Sequence, residues 1–153
     1  MVADRDRDEA GRAKNSRPRD ASGRPLPRGA TGVPRPDEEE DLPPDEVFAR
    51  AQDLLDRNRP FDAHDVLEGA WKAAPPDERM LWKGLAQLAV GLTHEQRGNP
   101  RGASSLLRRG AETVAEAPAA AARHGVDPTA LAGWAAAREV SGPLAPGLVL
   151  RQR

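Results

Sequence analysis

Apolar residues recur at three- and four-residue steps from Pro44 onward. Val47, Phe48, Ala51, Leu54 and Leu55 form one stripe and predict a first amphipathic helix over about 45–58, with Asp45 and Glu46 at its positive end. A second helix begins near Pro60 or Asp62 and runs to about Ala74. Pro60 suits a first helical position and Asp62 suits an N-cap, and the pattern is consistent with either start. Pro75-Pro76 interrupts the chain. Leu81, Leu85, Leu88 and Leu92, with Trp82 and Ala89 beside them, then predict a third and longest helix over about 77–97. Gly98 suits a left-handed helix end, Asn99 an N-cap and Pro100 a first residue, so the three predict a tight turn between antiparallel helices. The fourth helix, about 100–117, turns Ala103, Leu106, Leu107, Gly110 and Val114 inward. A fifth opens with Asp127 as cap and Pro128 in its first turn, carries Leu131 and Trp134, and fades near Val140.

No strand pattern accompanies these helices. The expected fold is all-α: a compact array of about five helices with antiparallel helical hairpins, over residues 44–140. Residues 1–43 mix Arg, Asp, Glu, Pro and Gly with almost no large apolar side chains, and are expected to form a flexible tail that cannot offset its ordering entropy. Residues 141–153 are expected to be a flexible C-terminal tail, within which the Leu148-Val149-Leu150 patch either docks on the bundle or frays.

Composition narrows the function classes. Among 153 residues, 23 Lys and Arg face 24 Asp and Glu, so no overall basic field attracts nucleic acid. Tyrosine is absent and aromatics make up 3%, too few for a base-stacking platform. The absence of cysteine removes disulfides, thiolate catalysis and cysteine-type zinc sites together. No apolar run approaches the roughly 20 residues needed to span a bilayer, and the first residues lack the apolar stretch of a signal peptide. The expected location is therefore the cytoplasm. A core of this size leaves little excess stability, so burial in a homo-oligomer would help.

The segment Arg59-Pro60-Phe61-Asp62-Ala63-His64-Asp65-Val66-Leu67-Glu68-Gly69-Ala70-Trp71 carries the most chemical information. On a helix it sets His64, Glu68 and Trp71 on one stripe, an imidazole and a carboxylate beside large apolar groups. His64 and Glu68 are expected to be largely buried and paired. They suit half of a divalent-metal site or a base with its orienting carboxylate, but the reading preferred from the sequence is a hydrogen-bonded pair that sets helix packing. The spacing is not His-Glu-x-x-His, so any metal needs further ligands. Asp65, Gln87 and His94 are the candidates. Gln87 and His94 share a third-helix stripe with Gly84 and Gly91, whose missing side chains serve either close helix approach or a ligand. Trp71 and Trp82 read as core anchors, His124 as solvated, and Arg108 and Arg109 as a polar face. No phosphate loop, nucleophile elbow or catalytic triad is present.

The segment Phe61–Trp71 resembles the signature of the domain of unknown function 309 family. Lys83–His94 is similar to that family's next helix, and Arg97–Ala103 to its turn. The resemblance covers about residues 45–117. It implies a compact all-helical prokaryotic domain and implies no activity. The family usually has Glu directly after its histidine, where this chain has the shorter Asp65. Two function classes follow. One is a non-catalytic module that binds a ligand or a protein. The other is a small metal-dependent or acid–base enzyme using His64 and Glu68.

Overall fold

The computed structural model describes residues 42–144 and 146–151. The tail expected over residues 1–43 lies outside the described residues, apart from Leu42 and Pro43. Six helices follow one another: α1 (Pro44–Asp56), α2 (Pro60–Ala73), α3 (Arg79–Gln96), α4 (Pro100–Ala115), α5 (Pro118–Arg123) and α6 (Pro128–Ser141), then a 3-10 turn at Gly142–Leu144. Five of the six open on proline, whose fixed φ and missing N–H suit the first helical turn. The start of α2 is thereby settled at Pro60. Asp62 lies in its first turn, where its carboxylate accepts from Arg59 Nε at 2.7 Å instead of capping the backbone. No strand occurs among the described residues, and no helix there is long and apolar enough to cross a membrane.

The turn between α3 and α4 forms as the residues dictate. Gly98 takes φ +80°, and Asn99 Oδ1 accepts from the Gly102 amide at 3.1 Å. The two helices then run antiparallel, and glycines set their separation. A Cβ at Gly84 would lie 2.5 Å from Val114 Cγ2 and 2.7 Å from the Gly110 carbonyl; one at Gly91 would lie 2.7 Å from Leu107 Cδ2. Of the two uses expected for these glycines, close helix approach is the one observed. The core gathers on α3, where Leu81, Leu85, Leu88 and Ala89 are fully enclosed. Phe48 and Ala51 of α1, Ala63 and Leu67 of α2, and Val114 of α4 close over them.

One element departs from the sequence pattern. The connector before Asp127 contains the extra short helix α5, whose Ala120 and Ala121 are buried. An alanine run offers no contrast between inner and outer faces, so its helix has no readable period. In the C-terminal segment, expected as a flexible tail whose Leu148-Val149-Leu150 patch either docks or frays, the patch is docked. Leu148 and Leu150 are buried while Val149 between them is exposed, an alternation that lets an extended chain seal against the bundle.

Candidate functional site

Helix α2 presents its polar constellation beside the core-facing row of Ala63 and Leu67. One turn of helix separates His64 from Glu68, and His64 Nε2 lies 2.9 Å from Glu68 Oε2. The other ring nitrogen, Nδ1, lies 3.6 Å from Asp65 Oδ1, has no hydrogen-bond partner and is shielded from solvent. Glu68 Oε1 meets Lys72 Nζ at 3.0 Å, one further turn along. The imidazole thus stands between two carboxylates, with a lysine at the outer edge. Phe61 borders the ring, their centroids 5.8 Å apart.

The exposure of this group differs from the expectation. The His64 and Glu68 side chains are 21% and 30% exposed, and Asp65 is 10% exposed. The pair forms as predicted but is half-buried, because α2 rests on α3 along Ala63 and Leu67 and the His64 stripe sits at the border of that contact. Donor atoms of His64, Asp65 and Glu68 all lie within 4.8 Å of one another. Among the described residues they are the one His, Asp and Glu group of three or more with metal-ligand spacing.

The other two candidates lie elsewhere. Gln87 shares its stripe with Gly84 and Gly91, which face α4, and its Oε1 has no hydrogen-bond partner; His64 pairs with Asp65 and Glu68 instead. His94 sits in the last turn of α3, where its Nδ1 lies 3.0 Å from Asn99 Nδ2 and 3.2 Å from where a Gly102 Cβ would stand. It braces the turn into α4 and stands outside the ligand group.

A second histidine–carboxylate pair was not legible in the sequence. His124 is not solvated: its Nε2 makes a short contact with Glu78 Oε1 across 46 residues of chain. The ring packs on Phe48 and Trp82, with centroids 5.9 and 5.6 Å away. Arg123 reaches Asp77 at 3.1 Å, alongside the same corner. His124 ends α5, and no local spacing rule connects it with Glu78. Trp82 is the core anchor expected, whereas Trp71 is half-buried, with Lys83 Nζ 5.9 Å from its ring centroid.

Two grooves are lined by other residues. One, of about 400 Å³, runs between α4 and α6 past Ala111, Ala115, Ala132 and Ala136, with Arg108 and Glu139 paired at its rim. The second, of about 520 Å³, lies between the end of α3 and the C-terminal segment. There Arg138 grips Glu95 through Nε at 3.0 Å and Nη2 at 2.7 Å.

An uncharacterised protein of Bacillus subtilis (strain 168), YpuF, is 46% identical over 48 residues, which span 31% of this chain and 28% of that protein's length. No solved structure matches the chain. The sequence model described as "Domain of unknown function (DUF309)" matches residues 48–106, from within α1 to the first half of α4. Over residues 48–106, about two fifths of its length, the chain is similar to the DUF309 family.

Proposed function

We propose that this domain is a non-catalytic binding module whose α2 face holds a divalent cation. The observation that supports it is the convergence of His64, Asp65 and Glu68 on one turn of a well-anchored helix. His64 Nε2 and Glu68 Oε2 are the natural ligands. A cation on Nε2 leaves the ring proton on Nδ1, which then faces the Asp65 carboxylate. A carboxylate that accepts from the far nitrogen of a ligating imidazole is the usual support for a metal-bound histidine, and Asp65, at 3.6 Å, would need only a small side-chain shift to accept there. Solvent completes the coordination shell. With so few protein ligands the ion would be labile, a character suited to reversible binding and not to a permanent structural metal.

An enzyme would also need a substrate cavity against these groups. The two grooves described above are lined by other residues. Shortening Glu to Asp at position 65 also fits an orienting carboxylate better than a third direct ligand.

Calorimetric titration of tag-free protein with Zn²⁺, Mn²⁺ and Ni²⁺ tests this, beside His64→Ala and Glu68→Gln. The expected result is saturable binding of at least one ion by the wild type and its loss in both variants. Absence of binding, or binding unchanged in both variants, refutes the cation reading and leaves His64 and Glu68 as a structural pair.

A further inference from the structure

The C-terminal segment is held by contacts of the kind that recognise a peptide. Residues 146–151 lie extended along α1, in a groove whose side chains read backbone and side chains separately. Gln52 makes two backbone contacts: its Nε2 donates to the Leu148 carbonyl, and its Oε1 accepts from the Leu150 amide, each at 2.9 Å. One amide side chain thereby takes the place of a neighbouring strand. Leu148 and Leu150 are 4% and 1% exposed, and Val149 between them faces outward. Arg151 adds charge selection. Its Nη1 meets Asp45 at 2.8 Å, and its guanidinium carbon lies 4.6 Å from the Phe48 ring centroid. At the other end, Trp134 Nε1 donates to the Pro146 carbonyl at 2.7 Å.

We propose that this groove is a recognition site for an extended Leu-x-Leu-Arg segment. The chain's own residues 146–151 occupy it in cis, and a partner bearing the same pattern takes it by displacing them. Two features favour an exchangeable occupant over a permanent part of the core. The segment is joined to α6 by Gly142, Pro143 and the residues up to Gly147, with Gly142 at φ +56°. No helix or strand backbone ladder ties it down, and its opening uncovers only that part of the core which Leu148 and Leu150 close.

The test uses the full chain carrying Leu148→Asp and Leu150→Asp, with native helicity verified by circular dichroism. A fluorescein-labelled peptide of sequence Pro-Gly-Leu-Val-Leu-Arg is titrated in and followed by anisotropy. The expected result is saturable binding to the variant and about tenfold or more weaker binding to the wild type, where the peptide competes with a tethered copy. Adding Gln52→Ala to the variant should weaken binding about tenfold. A folded variant that does not bind the peptide, or binds it equally well without Gln52, overturns the proposal. If the double variant does not fold, hydrogen exchange of the wild type decides. The Leu150 amide should exchange about a hundredfold faster than the core amide of Leu85 after correction for intrinsic rates. Equal protection would mean that the segment leaves only when the domain unfolds, and would overturn the proposal.

Discussion

The domain holds two histidine–carboxylate pairs, and they differ in almost everything but their chemistry. His64 and Glu68 are four residues apart on one helix, half-exposed, with a lysine on the outer side. His124 and Glu78 come from opposite ends of a 46-residue span, are 15% and 12% exposed, and sit against Phe48 and Trp82. The first pair is assembled by helix geometry alone and leaves a face open to solvent. The second exists only once the bundle has closed, and its ring fills space between aromatic side chains. The difference teaches that a pair's location, and not its residue types, decides whether it is available for binding or committed to packing.

Both pairs depend on α3, which supports α2 and carries Trp82, so the largest predicted effect comes from its seam with α4. Gly84→Ala should destabilise the domain by about 3 kcal/mol, although alanine in a helix interior ordinarily gains about 1 kcal/mol over glycine. The added methyl meets Val114 and two backbone atoms at once, and none of these is the free end of a flexible chain. Urea denaturation gives the sign directly. A stabilised or neutral variant would show that the helices can separate at little cost.

His124→Ala comes next, with an expected loss of about 2 kcal/mol, because it empties space beside Phe48 and Trp82 and removes the nearest partner of Glu78. Glu68→Ala should cost less than about 1 kcal/mol, since the pair it breaks is screened by solvent. Thermal unfolding of the two variants side by side checks the contrast. Equal losses would abolish the distinction drawn between the pairs.

The smallest effect concerns Asp45 at the foot of the C-terminal segment. A hydrogen bond from Arg151, together with its charge, holds this exposed carboxyl below its ordinary value of 3.8. A depressed carboxylate contributes stability that is present above the ordinary value and is lost as pH falls through the lowered one. The Arg151 contact should therefore weaken only in acid below about pH 3.8. The indole N–H signal of Trp134, which donates to Pro146, should shift in that range, and Asp45→Asn should remove that step.

The same contrast explains what the sequence discloses. Caps and turns at Gly98-Asn99-Pro100 and Asp127-Pro128 are local signals, and they form as read because their chemistry acts over three or four residues. The His64–Glu68 pair is legible for the same reason. Its exposure was not, since that depends on how far α2 rolls onto α3. His124 and Glu78, and Gln52 with Leu148 and Leu150, join residues 46 to 98 positions apart, and no periodicity links them. Helix α5 escaped notice because alanine looks the same on either face; Pro118 at its start was the one signal that pointed to it.

The most direct test of the account uses the chain's three histidines, His64, His94 and His124, as reporters. Each gives its own imidazole signals in a proton–nitrogen NMR spectrum, and substoichiometric Mn²⁺ broadens those near the bound ion. His64 should broaden first and selectively, while His94 and His124 persist, and Glu68→Gln should abolish the selectivity. Uniform broadening of all three, or a His64 signal that persists while another is lost, would contradict the claim that α2 carries the cation site.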